Sequence, residues 1–233
     1  MPKKPRSEEE IEEIKANILH HALEMISRKG FEGFSMRKLS RRLGVAVVTI
    51  YSYYENKDEL YLAILTSGFE KLFDECMEKY NSVSDPFEKL KEMVESYLTF
   101  GFSNANFYNL MFTWNVPKFE DYVNTPLENA AAIELKSALK VYDLFIDVIK
   151  QVLSDIEDIT EDEIKFYLIF FWSMLHGYIA GCNNTLLTYM HDEPFQLKDQ
   201  ILKFMLLHIQ LEIDAVKGGR ERSYKKIIMK KDS

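Results

Sequence analysis

Five times along the chain, a residue able to cap a helix is followed three positions later by glutamate: Ser7 with Glu10, Asn56 with Glu59, Asp85 with Glu88, Thr125 with Glu128 and Thr160 with Glu163. At that spacing the first side chain accepts from a backbone N–H in the opening turn, while the glutamate reaches back to the N–H of the cap, an exchange that only a helix start uses. In DPFE and TPLE a proline also stands where the first helical residue would be, and its missing N–H costs nothing there. Apolar residues then recur at helical spacing, as in Ile11, Ile14, Ile18, Ala22 and Met25, or Leu60, Ile64, Phe69 and Leu72. Alternating strand patterns between turn signals are absent. These signals predict an all-α protein of roughly nine helices, without an internal repeat or a low-complexity tract.

A chain of 233 residues with 47% hydrophobic and 28% charged residues can bury a substantial core. Its net charge of -8 is unevenly spread. Residues 1–60 hold 11 Lys and Arg against 10 Asp and Glu, residues 61–216 hold 11 against 25, and residues 217–233 hold 7 against 2. Between positions 28 and 42, Arg28, Lys29, Arg37, Lys38, Arg41 and Arg42 face Glu32 alone. A local cationic patch is mounted on an acidic body, so the whole-chain charge says little about what the N-terminal face binds.

Two glycines divide that region. Gly30 follows the basic turn Arg28-Lys29 and is expected to end the first helix, after which Ser35 can cap a second helix running to about Leu43. Gly44 permits a sharp turn, and a third short helix is expected over Val47 to Tyr53 before ENKDEL opens a fourth. Two short helices joined by a tight glycine turn are the helix-turn-helix pattern. Periodicity turns Leu39, Leu43, Ile50 and Tyr54 inward and leaves Arg37, Lys38, Arg41, Val47, Val48, Thr49, Ser52 and Tyr53 outside.

That outer set suits a DNA major groove. Arginine can bond guanine with two N–H groups, threonine can bond a base or touch the thymine methyl, and Val47 and Val48 can pack on that methyl. Tyrosine and serine hydroxyls, Lys57 and the helix start beside it suit phosphate oxygens. The basic run KKPR at positions 3 to 6 is expected either to reach the minor groove or to be a flexible arm. Exposed valines are accounted for when a partner covers them.

The run GFEGFSMRKLSRRLGVAVVTIYSYYENKDELYLAIL, residues 30 to 65, resembles the signature of the TetR family of bacterial transcriptional regulators. The shared features are a Gly-bounded first helix, Ser35 where Thr or Ser is usual, L-x-x-x-L-G-V, T-I-Y, aromatics at 53 and 54, and N-K-D-E-L. The resemblance implies that Ser35, Tyr51, Tyr53 and Lys57 contact phosphates, with Lys38 and Ser52 beside them. It places Arg37, Val47, Val48 and Thr49 near bases and makes Gly44 the turn. Ala46, where the family often has Ser or Thr, removes a possible cap, and Ser40 replaces a common Ala.

The same resemblance implies a DNA-binding head over residues 1–56, a larger helical domain over 57–216 that dimerises and binds a small hydrophobic or amphipathic effector, and a basic tail over 217–233. Aromatic density over 100–119 and 166–178 supports a pocket whose candidate wall is Tyr108, Phe112, Trp114, Tyr167, Phe171, Trp172 and His176. Rings at helical spacing are, however, more often plain core. The W-S-M-L-H-G run resembles a Trp and His-Gly pattern of one subset of these C-terminal domains. Helices expected from about 160 to 190 and 194 to 216 are apolar on more than one face, which leaves a surface for a second copy. A twofold dimer would read a near-palindromic operator, and an effector that shifts the helix opened by Asn56 would separate its two heads. The tail is expected to be solvated.

Rival classes have less behind them. Catalytic signatures such as H-E-x-x-H, G-x-S-x-G or a phosphate-cradling glycine loop are absent, so no enzyme is expected. His20, His21 and His191 read as surface histidines, and Cys76 and Cys182 as small apolar groups, with no metal or cofactor implied. A helical small-molecule or lipid carrier would share the aromatic pocket yet leaves Arg37, Val47, Val48 and Lys57 unexplained. The N-terminal residues have no apolar leader core, and no membrane-spanning stretch is expected, which points to the cytoplasm.

Overall fold

The computed structural model describes residues 6–156, 159–220 and 222–225. Among them the chain forms ten α-helices and no strand. They are α1 (Glu8–Gly33), α2 (Met36–Leu43), α3 (Val47–Tyr51), α4 (Lys57–Ser82), α5 (Pro86–Ser103), α6 (Ala105–Tyr108), α7 (Phe119–Tyr122), α8 (Glu128–Val152), α9 (Glu161–Asn183) and α10 (Lys198–Lys217). A π-helical turn over Asn109–Thr113 follows α6, and 3-10 turns over Leu186–Tyr189 and Pro194–Leu197 lie between α9 and α10.

Four of the five cap signatures act as helix starts. Ser7 Oγ accepts from Glu10 N–H at 3.2 Å while the Glu10 carboxylate accepts from Ser7 N–H at 2.8 Å. Asn56 Oδ1 accepts from Glu59 N–H at 2.8 Å, Asp85 Oδ1 from Glu88 N–H at 2.9 Å and Thr160 Oγ1 from Glu163 N–H at 3.2 Å. The fifth behaves differently. Asn124 sits at φ 62°, which turns the chain, so Thr125 Oγ1 donates to Tyr122 O at 2.7 Å and accepts from Leu127 N–H at 3.2 Å. Pro126 therefore lies in a turn, and α8 begins two residues later than TPLE suggests.

Other boundaries also moved. Gly30 does break the first helix, at φ 69° and ψ 166°, but a further turn reaches Gly33. The helix expected to run to about 190 stops at Asn183, because Asn184 Nδ2 donates to Ala180 O at 2.9 Å and Thr185 enters the left-handed region at φ 59°. Helices α6 and α7 have four residues each, too short to show a period, which is why about nine helices were legible and ten are present.

The chain separates into two compact units. Residues 1–71 with 106–138 form the first, and 72–105 with 139–233 form the second. In the first, α1, α2 and α3 pack with Ile26, Leu39 and Ile50 at zero exposure. Burial of that many branched side chains is what lets helices this short persist. Tyr61 of α4 is fully buried against the Phe31 ring, 4.8 Å between centroids, and donates to Pro117 O at 3.1 Å. Burial pushes its phenol well above the usual range. Tyr122 of α7 donates to Asp58 Oδ1 at 3.1 Å, which ties the start of α4 to the segment after the π-turn.

In the second unit α5, α9 and α10 pack together. A Cβ at Gly101 of α5 would stand 2.8 Å from Ile179 of α9, so glycine is what lets these helices approach, and Asn183 Nδ2 donates to Gly101 O at 2.9 Å. Cys76 and Cys182 are buried, and desolvation pushes the Cys76 thiol up to about 12, fitting a packing role. The expectation of a solvated tail is corrected at Arg222. Its guanidinium, 3% exposed, donates to both carboxylate oxygens of the buried Glu163, Nε to Oε1 at 2.6 Å and Nη2 to Oε2 at 2.8 Å. Next to it, Ser223 N–H donates to Glu212 Oε2 at 2.9 Å. Positions 221 and 226–233 of the tail lie outside the described residues.

Candidate nucleic-acid interface

Gly44 shapes the surface that carries the candidate DNA contacts. It lies at φ 68° and ψ 25°, its N–H donates to Arg41 O at 3.4 Å, and Val45 N–H donates to Ser40 O at 3.0 Å. This paired closure ends α2 and sends the chain directly into α3. A side chain at Gly44 would meet nothing within 4 Å, so the glycine is needed for its backbone angle and not for space. Ala46 supplies no side-chain cap to α3, as its methyl requires.

The outer residues of α2 and α3 then differ in how far they reach solvent. Arg37, Lys38 and Arg41 are exposed on α2; Val48, at 69%, and Tyr51, at 45%, are exposed on α3, followed by Ser52. Val47, Thr49, Tyr53, Ser35 and Lys57 are half-buried. Leu39, Ile50 and Tyr54 face inward as expected, while Leu43 is half-buried. Val48 and Tyr51 thus present a branched and an aromatic side chain to solvent from an α3 of five residues, with Ile50 buried beneath them.

Hydrogen bonds show which cations remain available. Ser35 Oγ caps α2 by accepting from Lys38 N–H at 3.3 Å and keeps its own hydrogen to donate. Lys38 Nζ donates to Gly33 O at 3.2 Å, and Arg41 Nε to Arg37 O at 3.3 Å. Arg42 is spent on an ion pair with Glu24, but no ion pair among the described residues holds Arg37. Lys57 lies 3.8 Å over the Phe31 ring, in the first turn of α4 where a cation meets the positive end of the helix dipole. One contact was not anticipated. Arg6 Nη1 donates to Tyr53 Oη at 2.5 Å, across 47 positions.

Residues 18–64 match the family model described as bacterial regulatory proteins, tetR family. Over those residues the chain carries the tetR-family domain. The matched stretch runs from α1 through α3 into α4 and contains every candidate DNA contact. The transcriptional activator FasR of Mycolicibacterium smegmatis is 26% identical over 115 residues, 49% of this chain and 50% of that one. The transcriptional repressor KstR of the same organism is 30% identical over 82 residues, 35% and 40% of the two chains. This chain thus spans about half or less of the curated relatives it matches. The solved structure of the regulator FadR from Bacillus subtilis in complex with stearoyl-CoA superposes with a TM-score of 0.58 at 17% identity, covering 82% of this chain and 97% of that one, a likeness of fold.

Of the seven effector candidates, three belong to the first unit and four to the second. Tyr108, fully buried, lies with Phe112 and Trp114 in the first unit, where the Tyr108 and Phe112 rings are 4.9 Å apart. Tyr167, Phe171, Trp172 and His176 lie on α9 in the second. There Tyr167 is buried and donates to Glu212 Oε2 at 3.5 Å, and Phe171 is buried beside it. Trp172 stacks on His176 at 4.9 Å, and burial holds that imidazole below its usual range. None of the seven lines the groove of about 520 Å³ that opens in the first unit among Leu19, Tyr54, Glu59, Leu62, Phe107 and Ile133. Among the described residues no cluster of three or more His, Cys, Asp or Glu could hold a metal, and no helix is long and apolar enough to cross a membrane.

Proposed function

We propose that this protein is a ligand-responsive, sequence-specific transcriptional regulator, a repressor that binds a near-palindromic operator as a homodimer. The observation that carries the reading is the set of Arg37, Val48 and Tyr51 left exposed around a glycine-closed helix pair. Ser35, Lys38, Tyr51, Ser52, Tyr53 and Lys57 hold phosphates, and Arg37, Val47, Val48 and Thr49 meet base edges. We assign residues 1–56 to DNA and 57–216 to the effector and the partner copy.

Dimerisation is supported by large apolar side chains left in water in the second unit. Phe166, Ile169 and Phe170 on α9 and Phe204, Leu207 and Leu211 on α10 are all exposed, and Phe170 meets His208 of α10 at 6.2 Å. Both sets follow helical spacing, so they form one face that a second copy covers. Twofold symmetry then sets two recognition helices about 34 to 36 Å apart on successive major grooves.

Effector control is supported by FadR, whose solved complex holds stearoyl-CoA, and by the aromatic candidates Tyr108, Phe112, Trp114, Tyr167, Phe171, Trp172 and His176. The effector is a small hydrophobic or amphipathic molecule that lowers operator affinity. A coupling of about 1 to 3 kcal/mol changes that affinity roughly 5- to 150-fold. α4 runs from Lys57, at the edge of the DNA surface, into the second unit, and is the element whose position the effector selects.

Paired substitutions test the reading. Lys57→Gln is expected to weaken all duplexes about equally and lower the salt slope by about 0.9, as for one lost phosphate contact. Arg37→Ala is expected to relax preference at one base pair of each half-site. Binding titrations on a panel of duplexes would show both, and a Lys57→Gln protein with an unchanged salt slope contradicts the assignment.

A further inference from the structure

We propose that Arg6 and Tyr53 together form a single phosphate clamp on the DNA-facing surface, an inference that rests on the DNA reading above. Arg6 precedes the N-cap of α1 and is followed by three carboxylates, Glu8, Glu9 and Glu10, in the first turn. Glu10 is committed to the Ser7 N–H, and no carboxylate among the described residues pairs with Arg6. Its guanidinium instead donates to the hydroxyl of Tyr53, just past the end of α3. An uncharged hydroxyl is a weak reward for a guanidinium with acidic neighbours at hand, and it leaves the positive charge uncompensated.

The geometry suits an anion bound by both groups. A guanidinium has five N–H donors in a planar fork, and the Tyr53 bond uses one. Tyr53 Oη, by accepting from Arg6, keeps its own hydrogen to donate, and a hydroxyl that accepts from a cation is the better donor for it. Tyr53 follows the exposed Tyr51 and Ser52 directly in the chain, so the bonded pair adjoins the residues assigned to the DNA surface. A backbone phosphate oxygen receives the Tyr53 O–H while a second oxygen of the same phosphate receives the remaining fork of Arg6. In the free protein the Arg6 bond holds the Tyr53 ring in place for this contact.

The test is a double-mutant cycle on the duplex that the wild-type protein enriches from a random pool, with Arg6→Ala, Arg6→Lys, Tyr53→Phe and the Arg6→Ala/Tyr53→Phe pair titrated across salt. Arg6→Ala is expected to weaken binding roughly fivefold to tenfold and lower the salt slope by about 0.9. Arg6→Lys should keep the slope, because it keeps the charge. Tyr53→Phe should weaken binding at unchanged slope, and adding it to Arg6→Ala should change little further, since the clamp is already broken. Arg6→Ala with wild-type affinity and slope, or two fully independent losses, overturns the clamp while leaving the DNA reading intact. A wild-type protein that enriches no duplex overturns both.

Discussion

Val48→Glu is expected to abolish operator binding without unfolding the protein. Val48 is 69% exposed on α3 and contributes little to the core, so a surface exchange there should alter stability by no more than about 0.5 kcal/mol. In the proposed complex the same position faces base edges between two phosphate rows. A carboxylate brought there meets repulsion from the phosphates and replaces an apolar contact with a thymine methyl. Losing a base contact costs about 1 to 3 kcal/mol, and the added like charge should push the total beyond 100-fold in affinity. Fluorescence anisotropy on an enriched duplex, beside a melting curve, separates the two quantities. An unchanged melting temperature with affinity lost is the expected pair; unchanged affinity would mean that α3 does not enter a groove.

The largest expected loss of stability comes from the opposite end of the chain. Glu163→Leu leaves the Arg222 guanidinium buried beside a hydrocarbon, with both of its close carboxylate bonds gone. Taking away one partner of a buried pair costs about 3 to 5 kcal/mol, because the surviving charge stays out of water. For a chain of this size that corresponds to a fall in melting temperature of roughly 10 °C. The paired exchange Glu163→Leu with Arg222→Met removes both charges at similar volume and should recover most of the loss, since a well-packed apolar pair can match a buried ion pair. If Glu163→Leu melts within a degree or two of wild type, the Arg222–Glu163 pair does not hold the tail to α9. DNA binding by the head should be much less affected.

What the sequence made legible was local. The cap at Ser7, the turn at Gly44 and the inward set Leu39, Ile50 and Tyr54 each depend on residues within about a helical turn of one another, so spacing alone exposes them. The exposed set followed from the same spacing once the buried face was known. Thr125 misled because its cap signature is ambiguous with a turn, and Asn124 at φ 62° resolved it toward the turn. Contacts between distant positions left no such trace. Arg222 finds Glu163 across 59 positions and Arg6 finds Tyr53 across 47, and nothing near either arginine announces its partner. Tyr108 and Tyr167, candidates for a ligand wall, are buried side chains, as the plainer reading of ring-rich helices allows.

Selection of bound duplexes from a random pool by the purified full chain tests the central claim most directly. The account predicts enrichment of a near-palindrome whose two half-sites lie about one helical turn apart, 10 to 10.5 base pairs centre to centre, and no enrichment by the Val48→Glu protein. A pool left unenriched by the wild-type chain, or enriched equally well by both proteins, would contradict it.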